Sequence, residues 1–172
     1  KPARPCSSVF SGLEAAMAGE TIQFQLTLPP GIRADAPLTV VFGLCEGVVK
    51  EPGKRPLVLR VEGGEAKTVD PVKDFGYNQP GLYKLTARDA NHDGIVEISV
   101  VIADGAEEKR PVVNALWVFD GSLPSDETII MGEAEELVFA SYPTGAMPER
   151  QAIVLMTLKN TLGVAATRQP AL

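Results

Sequence analysis

Thr21-Ile22-Gln23-Phe24-Gln25-Leu26-Thr27-Leu28 is the stretch that decides the fold. Ile22, Phe24, Leu26 and Leu28 recur at every second position, with Thr and Gln between them. Successive side chains of a strand point to opposite faces, so the segment predicts a strand with one face on a core and the other in water. Pro29-Pro30-Gly31 ends it.

The same period continues outward. Leu57 to Glu62 sets Leu57, Leu59 and Val61 against Val58, Arg60 and Glu62. Leu82 to Arg88 sets Tyr83, Leu85 and Ala87 against Lys84, Thr86 and Arg88, and Ile95 to Ala103 aligns Val96, Ile98, Val100 and Ile102. Leu38 to Cys45 is apolar nearly throughout, as a central strand should be, and Pro37 stands acceptably before it. Ala115 to Asp120, Leu137 to Tyr142 and Gln151 to Lys159 supply further strands. Pro-Gly, Gly-Gly and Asp-Gly pairs separate them. Helix is scarce: a single turn is expected over Leu13 to Ala18, and Glu133 to Ala140 reads equally as helix or strand.

The pattern predicts an all-β fold, an antiparallel Ig-like or jelly-roll β-sandwich with little helix. Residues 1–17 are expected as an extended N-terminal segment, 18–160 as the sandwich and 161–172 as an extended tail. The polar stretch 105–111 offers an alternative sub-boundary. Too few strands follow it for an independent sandwich, so the final third should pair with or pack on the rest.

Composition narrows function more than it names it. The chain has 172 residues, 45% hydrophobic and 22% charged, which suits a globular core rather than disorder. A net charge of −6 with no basic stripe speaks against nucleic-acid partners. No apolar run approaches the roughly 20 residues of a membrane-spanning helix. The chain opens at Lys1 without an apolar leader, so a targeting peptide is expected to be absent or removed. Cys6 and Cys45 leave two readings open, a disulfide pinning the N-terminus to the sheet or two unrelated buried thiols. With one histidine they make a poor zinc set.

Two stretches resemble known modules. Ser11-Gly12-Leu13-Glu14-Ala15-Ala16-Met17-Ala18-Gly19-Glu20, followed by Ile22-Gln23-Phe24, resembles the opening of filamin-type Ig repeats. Phe75-Gly76-Tyr77-Asn78-Gln79-Pro80-Gly81-Leu82-Tyr83 resembles the Pro-Gly-x-Tyr approach to a late strand in filamin and PKD-type modules. The resemblance spans residues 10–104. It implies an Ig-like fold with Tyr83 as a tyrosine-corner residue whose hydroxyl satisfies nearby backbone, and it implies no ligand.

Candidate chemistry is sparse. Asp89, Asn91 and Asp93 stand at alternate positions before Gly94, with Glu97 further on. Such oxygens converge on calcium in loop sites, though Val100 stands where a closing acid belongs, and Asp, Asn and Gly equally suit a hairpin turn. The expected cofactor is therefore none or calcium. His92, alone in that turn, has no serine elbow to serve. Gly47 to Arg55 mimics a phosphate loop but is one residue too long, contains Pro52 and ends on Arg. Glu107-Glu108 and Glu133, Glu135, Glu136 are acidic clusters expected in solvent. Tyr77, Tyr142, Trp117 and Phe75 are candidate aromatic platforms, with core packing the alternative for Trp117 and Phe119.

The sequence therefore predicts a non-catalytic structural or adhesive module of an extracellular, cell-surface or periplasmic assembly, binding a protein or itself through exposed strand edges. A carbohydrate-binding module, calcium-stabilised in one version, is the alternative.

Overall fold

A computed structural model of the chain describes residues 1–28, 32–33, 35–121 and 123–132, together with the backbone of two short strands at 142–144 and 158–159. In chain order the elements are a 3₁₀ turn Ser8–Ser11, β1 Glu14–Ala15, β2 Thr21–Thr27, β3 Leu38–Leu44, β4 Leu57–Val61, β5 Lys67–Val69, α1 Pro71–Asp74, β6 Gly81–Ala87 and β7 Ile95–Ile102. Then come β8 Val112–Val113, β9 Ala115–Phe119, α2 Asp126–Met131, β10 Tyr142–Thr144 and β11 Leu158–Lys159.

One sheet has the order β10-β2-β7-β4-β5, the other β11-β9-β3-β6, and β1 pairs with β8 as a small ribbon. All pairs are antiparallel except β11 with β9. The all-β sandwich is as the alternation predicts. Between β2 and β7 only β4 and β5 are sequential neighbours in one sheet; every other step crosses to the opposite sheet. Crossing at nearly every step brings the order nearer a jelly roll than an Ig-like arrangement.

The main core lies between the sheets. Phe24, Leu59, Val96 and Ile98 face Val40, Phe42, Leu85 and Leu116 across it, all deeply buried. The polar partners take the other side: Gln25, Arg60 and Glu97 are exposed. β3 and β9 break the pattern, because β9 is buried at all five positions and β3 at all but Thr39. Their outward residues Val41, Trp117 and Phe119 form a second core with Phe10, Ile129 and Ile130. Trp117 and Phe119 thus pack inward on a face, but under the N-terminal segment and α2, outside the inter-sheet core.

Local chemistry explains the covering elements. Ser125 caps α2 by accepting the Thr128 amide at 3.1 Å, and Gly132 ends it at φ 76°, a left-handed conformation that glycine takes without strain. Gly43 makes room for the indole: a Cβ there would stand 2.6 Å from Trp117 Cζ3 and 2.9 Å from Ala115 Cβ. The N-terminal segment holds its 3₁₀ turn at Ser8–Ser11 rather than over Leu13 to Ala18, because Glu14–Ala15 instead pairs with Val112–Val113. Residues 133–140 and 161–172 lie outside the described residues, as do the side chains of β10 and β11.

Tyr83 does not form a tyrosine corner. Its hydroxyl donates to Asp74 Oδ2 at 2.6 Å, while Phe75 packs on its ring at 4.9 Å between centroids. Burial, with the Asp74 carboxylate adding, pushes the phenol well above its usual range.

Two outcomes follow. Ile129→Ala should destabilise by about 2–5 kcal/mol in urea unfolding, as for truncation in a closed core. Tyr83→Phe should cost about 1.5–3 kcal/mol near neutral pH, a hydrogen bond to a charged acceptor being lost. Because folding raises the Tyr83 pKa, its contribution is complete below the unfolded tyrosine value of about 10 and falls as pH rises beyond it. Stability measured above that pH should therefore decline more steeply in the wild type than in Tyr83→Phe.

Candidate functional site

The strand register gathers three loops at one end of the sandwich. Leu44 pairs with Gly81, while Leu57 pairs with both Val69 and Ile102. Hence the β3–β4 loop (45–56), the β5–β6 loop (70–80) and the β7–β8 loop (103–111) emerge together. Backbone bonds sew them to one another. The Asn78 amide donates to the Glu46 carbonyl at 2.8 Å, and the Glu107 and Glu108 amides donate to the Lys54 carbonyl at 3.1 and 2.9 Å.

At the centre lies a buried ion pair. Arg55 Nη1 stands 2.6 Å from Glu46 Oε2, with side chains only 4% and 1% exposed. Glu46 Oε1 accepts the amides of Val48 and Val49 at 2.8 and 2.9 Å, so the turn is wound around the carboxylate. Burying two charges costs several kcal/mol per ion, which short charge-assisted bonds offset only when geometry is good. The pair therefore adds little net stability but fixes the loop's conformation. Glu108 stands behind it, 3.6 Å from Arg55 Nη2 and 2.9 Å from Arg110 Nε. Arg110, with Arg55 assisting, holds the Glu108 carboxyl down at about 2.

Among the side chains that this frame presents to solvent are Val48, Lys50 and Tyr77. Val48 is 58% exposed, an apolar side chain at the tip of a polar turn. Tyr77 is 36% exposed, and its hydroxyl donates to the Gly47 carbonyl at 3.1 Å. Lys50 Nζ sits 5.6 Å from the centre of the Tyr77 ring, within cation–π range. The result is a small apolar and cationic platform whose members are held by backbone and ring contacts. Sequence reasoning found Tyr77 but missed Glu46, Arg55 and Val48. The available signal was an acid directly after the apolar run Leu38 to Cys45, a place where a lone charge needs a partner.

The other predicted site residues fall elsewhere. Asp89 is 1% exposed, and its oxygens accept the amides of Asp93 at 3.2 Å and Gly94 at 2.8 Å. Asn91 Oδ1 accepts the Asp93 amide at 3.0 Å, and Asp93 Oδ1 accepts that of Ile95 at 2.8 Å. Glu97 Oε1 accepts instead from the Gln25 side chain at 3.4 Å. Their oxygens close a hairpin turn, and among the described residues no cluster of three His, Cys, Asp or Glu is disposed to hold a metal ion. Asp89, Asn91 and Asp93 thus each give a side-chain oxygen to the turn's own amides. Glu62 reinforces the turn by accepting the amides of Ala90, Asn91 and Glu97. His92 lies exposed in it at φ 64°.

Trp117 is 3% exposed against Phe10 and offers no platform. Phe75 is half-buried on Tyr83. Tyr142 sits opposite Gln23 in β10, its side chain outside the described residues. Glu107 is paired with Lys54 at 2.6 Å and Glu108 with arginine, so these carboxylates are engaged. Glu133, Glu135 and Glu136 lie outside the described residues. The mimic of a phosphate loop at Gly47 to Arg55 is the platform loop itself, followed by a strand rather than a helix. Cys6 and Cys45 are unbonded thiols in the structure.

No protein-family model matches the chain, and no curated protein matches it in sequence. In three dimensions it is similar to the ANX1 ectodomain of Arabidopsis thaliana, with TM-score 0.55 and 9% identity over 65% of this chain and 32% of that one. The ANX2 ectodomain of the same plant gives TM-score 0.53 and 12% identity over 64% and 32%. The chain thus spans about a third of the length of these ectodomains. At such identities the likeness establishes the all-β sandwich and transfers no site.

Arg55→Met should destabilise by about 3–5 kcal/mol in urea unfolding, because it strands a buried carboxylate, and adding Glu46→Met should recover most of that loss. The depressed Glu108 carboxyl supports the fold fully above its unfolded value of about 4.5, and that support is lost as pH falls toward 2. Acid unfolding of Glu108→Gln should accordingly begin at higher pH than in the wild type. Millimolar calcium should leave the thermal midpoint unchanged, since the turn's oxygens already have donors.

Proposed function

We propose that the chain is a non-catalytic recognition module of an extracellular or cell-surface protein, and that it engages a protein partner through Val48, Lys50 and Tyr77. The observation that carries this reading is the buried Glu46–Arg55 pair, which spends two desolvated charges on the shape of a surface loop. Loops held by a rigid scaffold are where binding surfaces concentrate. A preorganised loop also loses little conformational freedom on association. Tyrosine is among the residues enriched at the energetic centres of protein interfaces, which favours Tyr77 as the anchor. The likeness to ectodomains supports an extracellular setting, and the chain covers one segment's worth of such a molecule.

The carbohydrate-binding alternative is less favoured at this site. Lys50 occupies a face of the Tyr77 ring, the surface on which a sugar would stack. An open groove of about 610 Å³ lies between the β4–β5 turn and β6. Of its charged lining residues, Lys84 pairs with Asp126 and Lys67 lies over the Tyr83 ring.

Probing the chain against an array of extracellular ectodomains and, separately, a glycan array tests the reading. Val48→Asp and Tyr77→Ala should each weaken the ectodomain interaction by about tenfold or more, some 1.4 kcal/mol, without loss of fold. Binding indifferent to both substitutions, or signal confined to glycans, would contradict it.

A further inference from the structure

We infer that Cys6 and Cys45 are a disulfide-forming pair that locks the N-terminal segment onto the end of β3. Cys45 is buried in the second core with Val41, Trp117 and Phe119, and Cys6 packs half-buried against that same cluster. Backbone bonds hold the two segments in place on several sides. The Ala3 amide donates to the Asn78 carbonyl at 2.7 Å, and the Asn78 amide donates to the Glu46 carbonyl at 2.8 Å, so two bonds join residue 3 to the neighbour of Cys45. On the far side of Cys6, the Ser7 amide donates to the Ile130 carbonyl at 2.8 Å. Asn114 completes the clamp: its Oδ1 accepts the Cys45 amide at 2.7 Å, and its Nδ2 donates to the carbonyls of Phe10 and Gly12.

Cys6 is thus held between ties at residues 3 and 7, and both cysteines pack on the one cluster of Val41, Trp117 and Phe119. Burial raises both thiols, and the neighbouring Cys6 adds to the rise at Cys45. The less buried Cys6 is therefore the sulfur that meets a soluble oxidant.

The chemistry is thiol–disulfide exchange with a small-molecule disulfide as the oxidant. The Cys6 thiolate attacks one sulfur of oxidised glutathione, whose S–S bond breaks and releases one reduced glutathione. Cys45, as thiolate, then attacks the Cys6 sulfur of the mixed disulfide and releases the second. Two protein thiols are oxidised, one disulfide is reduced, and the two thiol protons end on the departing glutathiones. The inference is independent of what the loop platform binds.

The test uses the full chain, reduced, desalted and exposed to oxidised glutathione at about pH 8.5, where an ordinary thiol is half ionised. The expected result is loss of two hydrogens in intact mass, a Cys6–Cys45 linked peptide after digestion, and a thermal midpoint roughly 5–15 °C above the reduced chain. Cys6→Ser, checked for native circular dichroism, should show neither the link nor the rise. Overturning results are glutathione retained on both cysteines of the folded chain, both thiols still open to iodoacetamide, or a link between two chains. A linked peptide without any thermal gain would also refute the locking role.

Discussion

Strands β3 and β9 carry apolar side chains on both faces, and neither face can be left in water. One face is answered by the opposite sheet, through Val40, Phe42, Leu116 and Val118. On the other, Val41, Trp117 and Phe119 are covered, among the described residues, by Phe10 from the N-terminal segment and Ile129 and Ile130 from α2. Burying a large apolar side chain contributes about 1.5–3 kcal/mol, enough in sum to hold two otherwise weak elements, a four-residue 3₁₀ turn and a six-residue helix, that could not persist alone. The second core is thus a consequence of the first.

That constraint also shapes the functional end. Strands β3 and β9 are buried on both faces, and the β3–β4 loop leaves β3 directly from Leu44 through buried Cys45 to buried Glu46. Because the loop departs from a dry interior, Glu46 needs both a cation and backbone donors. Arg55 and the amides of Val48 and Val49 supply them. The electrostatic requirement of one buried acid dictates where Val48, Lys50 and Tyr77 stand. Loop shape is an extension of core packing here.

The sandwich was legible in the sequence wherever one strand face meets water. β2, β4, β6 and β7 announce themselves by alternation, and burial follows it at Phe24, Leu59, Leu85 and Ile98. β1, β5 and β8 were not legible, since two or three residues give no period to detect. The second core was hidden for a related reason: Phe10 and Ile129 come from short segments without periodicity, and only the unbroken apolar runs of β3 and β9 hinted that something must cover them.

The sites were less legible than the fold. Asp89, Asn91 and Asp93 suit a hairpin turn in sequence and also resemble a calcium loop that lacks its closing acid, and in the structure their oxygens accept the turn's own amides. The position of Tyr83 fitted a tyrosine corner, yet a capped turn at Pro71–Asp74 puts a carboxylate where the corner would use a carbonyl. Glu46 and Arg55 are nine residues apart in an irregular loop, a spacing that no periodic rule links.

Native-state hydrogen exchange at the Val48 and Val49 amides addresses the central claim most directly, that this loop is as rigid as the sheet it leaves. Both amides end on a buried carboxylate, so they should exchange as slowly as the β3 amides and open only with global unfolding. Exchange at rates typical of an exposed loop would contradict the account.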